Sequence, residues 1–261
     1  MSPTPPSVRW AVRSDPGLRR STNEDCYCTR DDIGLYMVAD GMGGHVAGEI
    51  ASRIAVEAIQ AFIEETAGAD KNRTWPFPFD PALSLDANRI KAAFRLANRR
   101  IANAIADSHE LRGMATTASA LIAGTESACV AHVGDSRVYV LRNRELAQIT
   151  NDHSWVEEQV RAGTMSPSAA RLHPWRNVVT RALSGGDDPE VDVTELHLNA
   201  GERFLLCSDG LFSVVPDQQI TEILSDSALS LDDACKRLVD AANAGGGPDN
   251  ITAVVLQVDV P

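Results

Sequence analysis

The sequence is poor in the features that mark several functional classes. It has five cysteines, Cys26, Cys28, Cys129, Cys207 and Cys235, an odd number with no pair at CxxC spacing. That argues against a disulfide framework and a cysteine-rich zinc site, and makes reduced thiols in a cytoplasmic protein the plain reading. Apolar runs last only a few residues, against the roughly 20 that a membrane helix needs, so no membrane association is expected. The opening MSPTPPSVRW lacks the apolar core of about 7–15 residues that defines a signal peptide. Basic residues are scarce: 24 Lys and Arg face 36 Asp and Glu, a net charge of −12. A chain this acidic lacks the cationic field that nucleic-acid binding requires. Apolar residues at 44% and charged residues at 23% are ordinary for a folded protein, which excludes disorder across the chain.

What is present is a segregated pattern of strands and helices. Residues 1–7 read as a loose tail rich in Pro and Ser, and residues 8–261 as one domain. Strand-like segments at Val8–Arg13, Asp25–Arg30 and Ile33–Ala39 are followed by a helix over Val46–Glu65, with Ile50, Ile54, Ala58 and Phe62 on one face. A second helix spans Asp86–Asp107, with Asp86 as its expected N-cap. Trp75, Phe77 and Phe79, in the loop between these helices, are expected to anchor it on the core. Four short strands follow between Thr116 and Thr150, then an irregular surface insertion over 151–189, strands at Val191–Leu198 and Arg203–Cys207, two helices, and a last strand at Ile251–Val258. Regular βαβ alternation is missing. The expected class is α+β, with two antiparallel sheets face to face and helices outside.

Asp-Gly and related turns recur where apolar strands end: Asn23-Glu24-Asp25, Asp40-Gly41, Gly134-Asp135-Ser136, Ser208-Asp209-Gly210 and Pro248-Asp249-Asn250. Asp-Gly is a common hairpin signal. Yet Asp40-Gly41 leads into Met42-Gly43-Gly44 and a helix, and Asp209-Gly210 leads into Leu211-Phe212-Ser213 and helical sequence. If the strands lie in facing sheets, their ends can gather several carboxylates. Such a cluster repels itself unless a cation compensates it, and an all-oxygen set suits Mg²⁺ or Mn²⁺. A nearby guanidinium could grip a phosphate with paired hydrogen bonds, and Arg19 and Arg20 are placed for it.

These segments, in order, resemble the metal-dependent PP2C (PPM) protein phosphatases in their bacterial form. The resemblance runs from Ser14-Asp15-Pro16-Gly17 through Arg20 to Asn23-Glu24-Asp25, then Val38-Ala39-Asp40-Gly41-Met42-Gly43-Gly44-His45 and Gly113-Met114-Ala115-Thr116-Thr117. It continues through Val133-Gly134-Asp135-Ser136-Arg137 and Leu206-Cys207-Ser208-Asp209-Gly210-Leu211 to Gly247-Pro248-Asp249-Asn250-Ile251-Thr252. It implies a central β-sandwich flanked by helix pairs and hydrolysis of phosphoserine and phosphothreonine in proteins, with a bacterial Ser/Thr kinase and its targets as partners. It also implies two Mn²⁺ or Mg²⁺ ions and a weaker third. Asp40 would bridge both ions, with the Gly41 carbonyl on one of them. Asp209 and Asp249 would bind the other, Glu24 and Asp25 would hold metal-bound waters, Asp135 would serve the third ion and Arg20 the phosphate. Residues 151–189 match the variable flap beside the active site.

One position departs from the animal pattern, where a His proposed as general acid follows the Asp-Gly. Here it is Met42, whose thioether cannot donate a proton; His45 reads as a helix-start residue, and the proton donor stays open. His153 and His173 in the flap are expected at the surface, Arg99-Arg100 on a solvated helix face, and Cys207 in the core. A dinucleotide site would need GxGxxG within a parallel βαβ unit, but Val46 occupies the last glycine position. A noncatalytic binding or sensor module on the same fold is the remaining alternative, and monomer is the default state.

Overall fold

The computed structural model describes residues 8–44, 47–68 and 74–259. The expected tail at 1–7 and His45 lie outside the described residues. In chain order the elements are β1 (Val8–Asp15), β2 (Asp25–Arg30), β3 (Leu35–Met42), α1 (Ala47–Glu65), α2 (Leu85–Asp107), β4 (Ala115–Thr116), β5 (Ala118–Ala123), β6 (Ser127–Val133), β7 (Arg137–Arg142) and β8 (Glu145–Gln148). Then follow α3 (Trp155–Arg161), α4 (Pro167–Leu172), β9 (Asp192–His197), β10 (Arg203–Cys207), α5 (Asp209–Phe212), α6 (Asp217–Ser225), α7 (Leu231–Ala244) and β11 (Ile251–Val258).

The strands form two antiparallel sheets, ordered β1-β11-β10-β7-β8 and β2-β3-β5-β6-β9, with β4 paired to β3. Central strands have both faces buried and therefore read as continuous apolar runs. In β3, Leu35, Met37 and Ala39 pack toward α1 and α2, while Tyr36 and Val38 face the other sheet. In β10, Leu205 and Cys207 pack toward α7, while Phe204 and Leu206 face inward. The period-two alternation thus divides each strand between two cores, and three cores stack into an α-β-β-α sandwich. Each fully buried large side chain contributes about 1.5–3 kcal/mol, so the layers hold through many such terms rather than one.

Two local expectations need correction. The N-cap of α2 is Ser84, whose hydroxyl accepts from the Ala87 backbone N–H, and Asp86 instead sits in the first turn. Asp86 there meets Arg89 at 2.6 Å. Strand β3, expected over Ile33–Ala39, does not stop at Ala39; it continues to Met42 because β4 supplies a second ladder, pairing Gly41 with Thr116 and Met42 with Ala115. The aromatic loop behaves as expected, with Phe77 buried and Trp75 packed between Phe62 and Phe79. Arg99 and Arg100 are exposed, Arg99 lying over the Phe77 ring, and Cys207 is buried. Among the described residues, no helix is long and apolar enough to cross a membrane.

Candidate metal centre

The site is built where β2 and β3 of one sheet and β10 and β11 of the other end on the same side of the sandwich. Asp25 and Asp40 are direct cross-strand partners in the β2–β3 ladder. Across the gap, Cys207 pairs with Ala253, which leaves Asp209 and Asp249 just beyond the paired ends of β10 and β11. Asp135 lies in the turn entering β7 and feels the charge of Asp209. Glu24 immediately precedes β2, and its pKa is raised first by burial and then by the negative charge of Asp249 and Glu49. The structure therefore brings together every carboxylate singled out in the sequence. Arg20 stands at the rim, its Nη2 donating to Asp249 Oδ2 at 2.7 Å.

Close backbone approach explains the glycines. Gly41 donates its N–H to the Glu24 carbonyl at 3.2 Å, and a Cβ there would run into the Gly48 carbonyl. A Cβ on Gly48 would in turn collide with the Glu24 carboxylate. The start of α1 thus presses against the Asp40-Gly41 segment, and only hydrogen at both α-carbons permits that contact.

The electrostatics are those of compressed like charge. Burial pushes Asp25 up to about 7, an effect that hydrogen bonds from Ser208 and Thr252 oppose and the charges of Asp209 and Asp249 reinforce. Burial and then Asp209 raise Asp135 to about 8. Burial and Asp249 raise Asp209 to about 6. Asp40, surrounded by the other four aspartates, is raised well above the ordinary range, again chiefly by burial. Asp25 Oδ1 and Asp209 Oδ1 are buried and, among the described residues, accept no hydrogen bond. Buried carboxylate oxygens without donors cost free energy unless a cation meets them. The donor set is all oxygen and multiply anionic, which fits Mg²⁺ or Mn²⁺. Asp40, the Gly41 carbonyl, Asp209 and Asp249 could hold such ions directly, with Glu24, Asp25 and Asp135 around them.

A supporting layer holds these groups, and sequence reasoning assigned it no role. Asp25 Oδ2 accepts from Ser208 Oγ at 2.6 Å and Thr252 Oγ1 at 2.7 Å, tying β2 to the opposite sheet. The Asn250 side chain accepts from the Glu24 N–H at 2.8 Å and donates to the carbonyls of Pro16 and Thr22. Thr116 Oγ1 and the Thr117 N–H both donate to the Asp40 carbonyl, at 2.8 and 2.9 Å. All of these residues lie within the matched segments; for Ser208, Asn250 and Thr252 nearness to an acidic turn was the available signal, and Thr116 and Thr117 carry no such mark.

The flap histidines also differ from expectation. His153 is buried: its ring stacks on His132 at 4.5 Å, its Nδ1 accepts from the Gly134 N–H at 3.1 Å, and its Nε2 lies 3.3 Å from Asp192. It thereby pins the base of the flap segment behind Asp135. Burial, helped by His132, pushes its pKa down to about 4. His173 is half-buried against Trp155. Beside this base, Arg137 is clamped to Asp152 at 2.7 Å and lies over the Phe212 ring.

A sequence profile described as Protein phosphatase 2C matches residues 20–242. This chain belongs to the protein phosphatase 2C family. Its relatives in the family include the serine/threonine protein phosphatase PstP of Mycobacterium tuberculosis, 38% identical over 251 residues. That match covers 96% of this chain but 45% of PstP, so the chain spans about half the length of this relative. The serine/threonine phosphatase stp of Listeria monocytogenes is 35% identical over 254 residues, covering 95% of each protein. Among solved structures, M. tuberculosis PstP/Ppp superposes with a TM-score of 0.86 at 37% identity, covering 97% of this chain and 99% of the other. The PstP catalytic domain in complex with two manganese ions gives 0.82 at 36% identity, with the same coverage. The PP2C sandwich expected from the sequence is therefore the fold observed.

Proposed function

We propose that this chain hydrolyses phosphoserine and phosphothreonine in proteins, at a centre holding two Mn²⁺ or Mg²⁺ ions and a weaker third. The observation that carries the reading is the gathering of Asp25, Asp40, Asp135, Asp209 and Asp249 at one end of the sandwich, with donor-less buried oxygens on Asp25 and Asp209. The PstP catalytic domain solved with two manganese ions supports the choice of cation. In this reading Asp40, the Gly41 carbonyl, Asp209 and Asp249 would hold the two ions directly, Glu24 and Asp25 would hold them through water, and Asp135 would serve the weaker third. Ions so held would lower the pKa of a bound water and stabilise charge developing on phosphorus.

The chain's own residues supply position. Ser208 and Thr252 both donate to Asp25 and so favour its ionised form, partly offsetting the upward push of burial. Thr116 and Thr117 fix the Asp40 backbone, so the carboxylate it carries has a set origin. Arg20 is exposed, and a phosphate oxygen could replace Asp249 as its partner in a charge-assisted bond of the same kind. The substrates fit a cytoplasmic setting as products of a bacterial Ser/Thr kinase, met by a monomer whose flap at 151–189 borders the site within one domain.

The experiment is phosphate release from a phosphothreonine peptide in Mn²⁺, in Mg²⁺ and in EDTA. Release with either ion and none in EDTA is expected. No release with a folded protein that still binds Mn²⁺ would turn the reading toward a noncatalytic module. Arg20→Ala refines the test. Because Arg20 pairs with Asp249, its removal should leave Mn²⁺ affinity unchanged or slightly tighter while raising KM about tenfold, the scale of one charge-assisted contact. Calorimetric loss of Mn²⁺ binding in this variant would contradict the role assigned to it.

A further inference from the structure

The loop of residues 16–24 between β1 and β2 carries Arg20 to the rim of the carboxylate cluster, and residues 18–22 of it are exposed. A loop without strand or helix ladders takes its shape from a few hydrogen bonds to the rest of the fold. Here they converge on one side chain. Asn250, itself buried, donates through Nδ2 to the Pro16 carbonyl at 3.0 Å and to the Thr22 carbonyl at 2.9 Å, so one amide brackets the Arg20 segment from both ends. Its Oδ1 accepts from the Glu24 N–H at 2.8 Å. Both amide donors and the acceptor are therefore engaged, which fixes the orientation of the group. The other backbone ties of residues 16–22, among the described residues, are Leu18 N–H to the Gly247 carbonyl at 2.8 Å and Gly17 N–H to Asp15 Oδ1 at 2.9 Å. Gly17 has φ +77°, and a Cβ there would run into the Asp249 carbonyl, so the loop lies directly on the segment that carries Asp249 and Asn250.

We propose that Asn250 is the positioning residue for Arg20, clamping the loop so that the guanidinium stays over the carboxylate cluster when a phosphate binds. The inference rests on the phosphatase reading, in which Arg20 takes the phosphate. Without substrate the tip of Arg20 is held by Asp249 Oδ2 at 2.7 Å. A phosphate oxygen that replaces Asp249 removes that hold, and the loop backbone alone then keeps the side chain in place. The Asn250 N–H also donates to Asp249 Oδ1 at 2.9 Å. The Arg20 loop and the Asp249 carboxylate are thereby fixed to the same residue. A loop freed from this clamp has to be ordered each time a phosphate binds, and that cost falls on substrate affinity.

Asn250→Asp is the smallest change that tests this. The carboxylate keeps an acceptor for the Glu24 N–H but has no donor for Pro16 and Thr22. On a phosphothreonine peptide in Mn²⁺, KM should rise about tenfold with kcat within about threefold, the pattern of lost binding rather than lost chemistry. In the Arg20→Ala background the same substitution should move KM by less than about threefold, because residues that act through one contact do not add. Calorimetric Mn²⁺ affinity should be kept. Trypsin gives a readout that needs no turnover. Cleavage after Arg19 and Arg20, followed by mass spectrometry in Mn²⁺, should be about tenfold faster in Asn250→Asp, while cleavage after the exposed Arg171 and Arg176 of the flap keeps its rate. KM changes that multiply in the double variant, a loss of Mn²⁺ affinity, or cleavage rates that are unchanged or raised equally at all four sites would each overturn the proposal. Asn250→Ser, which removes the reach to Pro16 and Thr22 without burying a charge, decides in the same way if Asn250→Asp does not fold. If no variant and no wild-type sample releases phosphate, the reaction reading has failed, and the cleavage pattern still decides the clamp: selective acceleration at Arg19 and Arg20 upholds it, and equal rates overturn it.

Discussion

Asp209→Asn is expected to lower Mn²⁺-dependent phosphate release by about 10²–10⁴ while making the protein in EDTA more stable, by about 1–3 kcal/mol at pH 8. The two effects have one origin. Asp209 is half-buried beside Asp249 with one carboxylate oxygen enclosed, and these surroundings raise its pKa to about 6 from the ordinary 3.8. Above pH 6 the folded protein carries this charge at a cost that the unfolded chain does not bear. Asparagine has the same shape without the charge, and its amide N–H groups can donate to the neighbouring carboxylates. The charge that strains the fold is the one that a divalent ion requires, so stability and turnover should move in opposite directions. Urea melts in EDTA and a phosphate-release assay on the same preparation check both arms. A variant that is less stable in EDTA would show that Asp209 is a structural residue. Wild-type turnover would remove it from the centre.

Much of this arrangement was legible in the sequence because the strands are buried on both faces and end in acidic turns. Met37 and Ala39 against Tyr36 and Val38 show the division of β3 between two cores, and that period is local information. The carboxylates were visible because Asp-Gly before a helix is not hairpin sequence. What the chain could not reveal locally were distances across the gap. Ser208 and Asp25 are separated by 183 positions, and nothing in either segment announces a 2.6 Å hydrogen bond between them. His153 failed for a similar reason. Its burial depends on His132 from β6 and Asp192 from β9, so a polar residue in an irregular segment looked like a surface one. At the start of α2, Ser84 and Asp86 are both good caps, and only the helical register of the folded chain chooses between them. The extension of β3 through Met42 likewise needed β4, a two-residue strand with no pattern of its own.

The stabilisation of the protein by Mn²⁺ should grow as pH rises from 6.5 to 8, which separates a charge-compensating centre from an adventitious ion site. Asp25 at about 7, Asp135 at about 8 and Asp40 well above the ordinary range bind protons more tightly in the folded state than when unfolded. Where the native state holds more protons, stability falls as pH rises, here through the window from about 4 to 8. The histidines act in the opposite sense. His153 at about 4, and His132, also lowered chiefly by burial, are less protonated when folded, so they add stability as pH rises from about 4 to 6.5 and nothing above it. The interval from pH 6.5 to 8 therefore isolates the carboxylates. In EDTA, Tm should drop across it. Mn²⁺ binds the ionised carboxylates and displaces their protons, so each proton released tightens binding about tenfold per pH unit. One such factor adds about 1.4 kcal/mol to the ligand-linked stability, or about 2–4 °C for a chain of this size. The gap between the melting curves in Mn²⁺ and in EDTA should widen by at least that amount. An equal gap at both pH values would mean that the ion binds without displacing protons, and that these aspartates are not its ligands.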